Sequence, residues 1–178
     1  MSINISSRHF SHAEFIEHVK DALEESAIDP QCVTIELTES LAMNDVAATF
    51  QTMSQLRALG VKLSIDDFGT GYSSLSYLRR FPVDTLKIDQ SFIKTMDAEN
   101  YAIVKTIVGL ARNLDLKVIA EGVETPDQRR LLTLAGCDSA QGHLFAEPMP
   151  VQNVGAFIES NRIGGGQTKR SAHTTGRS

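Results

Sequence analysis

The sequence predicts an α/β fold in which parallel strands alternate with helices in an incomplete (β/α)8 barrel. Three observations carry this expectation. Six runs of strand character are each followed by a helical pattern after a short connection, and regular βα alternation implies parallel strands covered by helices. Polar residues collect at the downstream ends of these runs: Asn4, Glu36, Asp66, Asp67, Lys87, Asp89, Glu121 and Gln141. An open doubly wound sheet would spread them along an edge, whereas a barrel gathers them at one mouth, where active sites are built. Finally, six units fill about 160 residues, against roughly 200 to 250 for a closed barrel. The first run begins almost at Met1, so the missing strands are expected to lie upstream.

In chain order, residues 2–6 read as a short strand. Ser11 and Glu14 have capping-box spacing and open a helix with Phe15, Ile16, Val19 and Leu23 on one face, which Asp29-Pro30 ends. Cys32 to Thr38 is a strand finishing among acids, Glu36 and Glu39. Asn44 or Asp45 caps a helix whose stripe is Val46, Phe50, Met53 and Leu56, closed by Gly60. Val61 to Ile65 is a strand that delivers Asp66 and Asp67 to a Gly69-Thr70-Gly71 turn. Adjacent strand residues face opposite ways, so the two carboxylates are expected to converge because the strand stops there. A helix runs from Ser73 to Phe81, where Pro82 forbids continuation. Asp84 to Asp89 is a strand with Lys87 and Asp89 on one face, and Asn100 to Leu114 a helix with apolar residues at helical spacing. Lys117 to Ala120 is a strand leading into Glu121 and Glu124. Thr125-Pro126-Asp127-Gln128 starts a further helix with proline at its first position, ended by Gly136. Ser139 to Phe145 is the last strand, and Pro150 introduces a helix with Val154, Phe157 and Ile158 on its apolar side. Residues 1–160 form the expected domain; 161–178 read as a disordered basic tail.

The composition is that of an ordinary soluble protein, 42% hydrophobic and 22% charged, without a membrane-length apolar run or a visible secretory signal, so a cytoplasmic location is expected. The net charge of −5 divides into a tail of +4 and a body of −9, which argues against a duplex nucleic-acid face. Cys32 and Cys137 lack metal or disulfide spacing and are expected to be buried free thiols. No Gly-x-Gly-x-x-Gly follows the first strand, and the Gly69-Thr70-Gly71 turn lacks the P-loop lysine, which sets aside dinucleotide and nucleoside-triphosphate folds.

Asn4, Glu36, Asp66, Asp67 and Glu121 would, at one barrel mouth, assemble five oxygen donors, four of them anionic. Such a set is costly without positive charge among it, and hard divalent cations take oxygen ligands. Asp66 could bridge two ions about 3.5 to 4 Å apart, the spacing of two-metal hydrolases. Lys87 and Glu121 could then orient or deprotonate water, and Lys87 could equally stabilise a phosphoryl oxygen, so phosphodiester cleavage is the natural reaction. Plainer roles stand beside these. Asp66 and Asp67 could cap a turn, Glu39 and Glu124 could brace loops, and Asp89 could be a salt-bridge partner of Lys87 rather than a catalytic group. Gln141 could position a ligand or satisfy backbone, and His143 reads as a rim or core residue.

Asn4-Ile5-Ser6, Glu36-Leu37-Thr38-Glu39, Asp66 through Ser74, Lys87-Ile88-Asp89, Ala120 through Glu124 and Gln141-Gly142-His143 resemble, in order, the motifs of EAL domains, bacterial cyclic-di-GMP phosphodiesterases built on a modified TIM barrel. The resemblance runs from about Ile3 to Ile158. It implies two Mg²⁺ or Mn²⁺ ions, one on Asn4, Glu36 and Asp66 and the other on Asp66, Asp67 and Glu121. It further implies Lys87 at the water or phosphate, catalytic roles for Lys87, Glu121 and Gln141, substrate-binding roles for Asp89 and Gln141, and Glu39 anchoring the loop Asp67 to Ser74, itself a homodimer contact in the family. His143 stands where a tyrosine is more usual. The Glu-Ala-Leu signature, whose glutamate is a metal ligand, belongs upstream of Asn4 and is absent from the sequence. The chain alone is therefore expected to turn over weakly or not at all, or to serve as a binding or interaction module, and to need the missing segment or an upstream signalling domain.

Overall fold

The structure is a computed structural model that describes residues 1–71 and 75–162. It divides into two compact units, Met1–Phe145 and Ala146 onward. In the first, six parallel strands form one sheet in strictly sequential order: β1 (Ser2–Asn4), β2 (Thr34–Thr38), β3 (Lys62–Phe68), β4 (Thr85–Ile88), β5 (Lys117–Ala120) and β6 (Ser139–Ala140). A doubly wound sheet reverses its order at a switch point. This one never does, so it curls as a half-barrel.

The helices between them, in order, are α1 (Ser7–Phe10), α2 (Phe15–Ser26), α3 (Glu39–Asn44), α4 (Val46–Ala58), α5 (Leu75–Leu78), α6 (Gln90–Lys94), α7 (Ala98–Asn113) and α8 (Pro126–Ala135). The second unit contributes α9, Val151–Arg162, among the described residues.

Alternation along each strand sorts side chains by face. Ile35, Leu37, Leu63, Ile65, Leu86, Ile88, Val118 and Ala120 point to the helices and are buried with Met53, Leu56, Val104, Ile107, Val108 and Leu132. Asn4, Glu36, Asp66 and Lys87 fall on the other face. Asn4 pairs in register with Glu36 and Glu36 with Ser64, so polar residues line up across the sheet.

Local chemistry explains most boundaries. Asp97 caps α7 by accepting from Asn100 N at 2.9 Å. Thr125 and Gln128 close a reciprocal capping box at the start of α8, and Gly136 ends that helix in the left-handed region.

Several elements differ from the sequence reading. Ser6, not Ser11, makes a cap: it starts the one-turn α1, whereas α2 begins at Phe15 with no side-chain cap bond. Thr38 caps α3, an extra helix, by accepting from Leu41 N. The buried face of α4 is Thr49, Met53 and Leu56, while Phe50 is exposed. The last strand stops after Ala140, because the chain turns at Gln141-Gly142 and bonds back to Val123. Cys32 ends a single 3₁₀ turn and is exposed rather than buried. Tyr72 to Ser74, part of the expected loop and helix start, lie outside the described residues, as do residues 163–178 of the expected tail.

Asp84, just before β4, staples the sheet: one carboxylate oxygen takes both the Arg57 guanidinium and, at 2.9 Å, the Leu63 backbone N–H. Asp84→Ala would leave that N–H unpaired, and should cost about 1–3 kcal/mol in urea unfolding.

Candidate active site

The site is built around an ammonium. Lys87, 3% exposed, donates to Glu36 Oε2 at 2.7 Å and Asp66 Oδ2 at 3.1 Å, and lies 2.6 Å from Glu121 Oε1. Those acids come from β2, β3 and the end of β5, so one side chain on β4 joins groups from three neighbouring strands.

Asp66 and Asp67 converge for a reason other than a strand end. β3 continues to Phe68, but its pairing with β4 passes from Ile65 opposite Leu86 to Phe68 opposite Ile88. Three steps on one strand match two on the other, so Asp66 and Asp67 together oppose Lys87. This is a β-bulge, which inserts one residue and re-aims side chains. Asp67 takes a left-handed φ of 55°, a region that aspartate tolerates better than most residues. Its N–H donates to Asp66 Oδ1 at 3.0 Å.

Beyond the bulge the loop is tied to a buried carboxylate. Glu39, 1% exposed, accepts from Gly69 N at 2.8 Å and more weakly from Gly71 N at 3.4 Å. Gly69 has φ 101°, and a Cβ there would approach the Phe92 ring to 2.9 Å. At the other side of the site, Gln141 Nε2 donates to Glu121 Oε1 at 2.5 Å. Asp89 is not among the ion-pair partners of Lys87: it caps α6 by accepting from Ser91 N, and its charge beside Asp67 helps raise the Asp67 carboxyl. His143 and Glu124 are exposed, and the Glu124 N–H is held by Gln128.

Burial alone would lower the Lys87 pKa, but the hydrogen bonds it donates to Glu121, Glu36 and Asp66 more than reverse this, and it stands above the ordinary lysine value. Burial raises the Glu121 carboxyl; Lys87 pulls it down by less than burial, Asp66 and Glu36 together push it up. Burial, Asp66 and Asp89 raise Asp67. One ammonium thus contacts three carboxylates and lowers the pKa of the fourth, Asp67, only through its field.

The donor set fits divalent cations. Oxygens of Asp66, Asp67 and Glu121 lie within 4.8 Å of one another. The Asn4 amide oxygen faces two further acceptors, Glu36 Oε2 at 3.3 Å and Asp66 Oδ2 at 3.1 Å; turned over, its NH₂ would donate to both. Facing oxygens of this kind are what a hard cation gathers. Asn4, Glu36, Asp66, Asp67, Lys87, Glu121 and Gln141 therefore converge, with Asp89 beside Asp67 and Glu39 one step behind, at the loop.

The family profile of the EAL domain matches residues 1–148. The chain belongs to the EAL family. This EAL domain is 46% identical over 160 residues to the bifunctional diguanylate cyclase/cyclic di-GMP phosphodiesterase MucR of Pseudomonas aeruginosa, covering 89% of the chain and 23% of MucR. To the cyclic di-GMP phosphodiesterase NbdA of the same organism it is 40% identical over 173 residues, covering 96% of the chain and 22% of NbdA. The EAL domain thus spans roughly a quarter of these relatives' length. Its structure superposes on the PaMucR phosphodiesterase in its c-di-GMP complex with a TM-score of 0.84 at 47% identity, covering 86% of this chain and 63% of that one. It also matches the manganese/cy-diGMP complex of Klebsiella pneumoniae BlrP1, with a TM-score of 0.76 at 34% identity, covering 83% and 38% of the two chains.

The bulge was not readable from the sequence, because Asp66-Asp67 is compatible with a strand end as well. No helix is long and apolar enough to cross a membrane, among the described residues.

Removing the ammonium should be costly. In EDTA, Lys87→Met leaves buried carboxylates unpaired and should lose about 3–5 kcal/mol in urea unfolding, with Mn²⁺ restoring part of it. The pH dependence has a defined sign as well. A raised folded-state pKa for Asp67 gives a contribution that is full below the ordinary aspartate value and is lost as pH rises through the folded value. Asp67→Asn, which cannot ionise, should therefore flatten the fall of melting temperature with rising pH in EDTA.

Proposed function

We propose that this chain is a cyclic-di-GMP phosphodiesterase domain that opens one phosphodiester bond of the cyclic dinucleotide with water to give the linear product. The observation that carries this reading is the convergence of Glu36, Asp66 and Glu121 on Lys87, with Asp67 brought alongside by the bulge. Its supports are family membership and the named activities of MucR and NbdA.

In this reading Asn4, Glu36 and Asp66 hold one Mg²⁺ or Mn²⁺, and Asp66, Asp67 and Glu121 the other. Ions held by these residues would supply Lewis-acid polarisation of a phosphoryl oxygen and a water acidic enough to react near neutral pH. The remaining work belongs to the side chains. Lys87 presents fixed positive charge to the phosphoryl oxygen as negative charge builds on it. Glu121 Oε accepts the water's proton. Gln141 holds Glu121 in place and, with Asp89, contacts the substrate. Glu39 holds the chain at Gly69 and Gly71, beyond Asp67, and two copies of the chain meet through this region. We assign residues 1–160 to the EAL domain and 161–178 to a basic tail.

A second reading, a non-catalytic cyclic-di-GMP-binding or interaction module, is favoured by one fact: no Glu-Ala-Leu occurs in the 178 residues, so one anionic metal donor of the family is not among them.

Incubation of the purified chain with cyclic di-GMP and Mn²⁺, with binding followed by calorimetry and product by chromatography, separates the two. Binding with slow release of linear product is expected. Asp66→Ala and EDTA should eliminate turnover, and Lys87→Met should lower kcat by about 10²–10³-fold. Binding without product supports the module; neither binding nor product overturns both readings.

A further inference from the structure

We propose that Gln128 is a positioning residue for Glu121: its side chain locks the loop that presents Glu121 to the helix that follows Lys87. The inference rests on the reading of the carboxylate cluster as the working site. Gln128 is 8% exposed, and it is held there by more bonds than helix capping needs.

Its Oε1 accepts from Glu124 N at 2.7 Å and Thr125 N at 2.9 Å, which is the capping half of its role. Its Nε2 points the other way and donates to the Ile93 carbonyl at 3.0 Å. Ile93 lies in the last turn of α6, where carbonyls have no onward helical partner, and is fully buried. α6 starts at Gln90, two residues beyond the end of β4 at Ile88 and three beyond Lys87, with Asp89 as its cap. One amide therefore joins the segment leaving β4 to the segment leaving β5.

The loop between Glu121 and Thr125 has little other freedom. Gly122, at φ 68°, passes so close to Gln90 that a Cβ would lie 2.7 Å from the Gln90 Cβ. Val123 is fully buried, and its N–H donates to the Gln141 carbonyl at 3.0 Å. The Glu121 N–H donates to the Ile88 carbonyl at 3.2 Å, and Gln128 adds a fastening toward α6. The Lys87–Glu121 distance of 2.6 Å spans the two segments so joined. Outer partners of this kind set the orientation of groups that bind ions, and their loss weakens ion affinity by about 10–100-fold.

Capping and bridging can be separated, because a capping box accepts glutamate as well as glutamine. In Q128E a carboxylate oxygen still receives the Glu124 and Thr125 N–H groups, while at neutral pH nothing donates to the Ile93 carbonyl. Thr125→Ala does the reverse, removing the hydroxyl that accepts from Gln128 N and leaving the bridge.

Amide hydrogen exchange of the 178-residue chain in EDTA at pH 7 reads the difference without any metal or turnover. In Q128E the Glu121 and Val123 amides should exchange at least about tenfold faster, while the first-turn amides of α8 stay protected. T125A should speed the α8 amides and spare Glu121 and Val123. Unchanged Glu121 and Val123 exchange in Q128E, or T125A speeding them as much as Q128E does, overturns the assignment. If Q128E does not fold, T125A decides: Glu121 and Val123 amides that stay protected while the α8 amides open support the bridge, and a speeding of Glu121 and Val123 by about tenfold or more in T125A overturns it. A Mn²⁺ titration then ties the loop to the site: Q128E should bind about tenfold more weakly than the unmodified chain. Failure of the unmodified chain to bind Mn²⁺ would remove the cation reading and leave the exchange result to judge Gln128.

Discussion

A buried ammonium shared by three carboxylates is the constraint on which the mouth of this half-barrel depends. Lys87, Glu36, Asp66 and Glu121 come from four strands, and each charge alone would be expensive to remove from water. Together they are tolerable only at contact distance, so the ion pairs fix how the strand ends sit against one another. Such clusters are weak evidence for net stability. Their value here is placement: acids that would otherwise repel are kept within reach of one another while still outnumbering the cation. A site with surplus negative charge and facing oxygens attracts further cations, and the lysine leaves enough charge uncompensated to hold them.

Placement of the second aspartate depends on one extra residue. Without the bulge between Ile65 and Phe68, the pleat would send Asp66 and Asp67 to opposite faces of β3, and Asp67 would face the helices. The left-handed backbone at Asp67, the buried Glu39 beneath Gly69 and Gly71, and the Asp67–Asp89 contact all serve the irregular stretch. Strain is thus concentrated where it aims a functional group, and the rest of the sheet pairs regularly.

The sequence carried the architecture well where local chemistry decides. Helical spacing marked α7, and the Thr125-Pro126-Asp127-Gln128 run marked α8 with its capping box, because those signals act over three or four residues. The polar strand ends pointed to Asn4, Glu36, Asp66, Lys87 and Glu121 because a barrel brings such ends to one mouth. Legibility failed where distant partners decide. Phe50 fits an apolar stripe with Val46, Met53 and Leu56, yet the face of α4 that meets the sheet is rotated toward Thr49. Lys87 and Asp89 share a strand face, which suggested a pair, but three acids on other strands surround the lysine while Asp89 caps α6. Gln128 was visible as a cap; its bond to Ile93, 35 residues away, was not.

The strand order has a consequence for how the chain acquires its shape. Among the described residues each strand lies beside the one made just before it, so each pairing within this sheet joins segments one βα unit apart. Assembly can proceed by accretion at the growing margin of the sheet while synthesis continues, and the entropy of closing long loops is largely avoided. The acidic strand ends meet their lysine only once the fourth strand docks, which makes arrival of β4 the step after which the mouth is electrostatically tolerable.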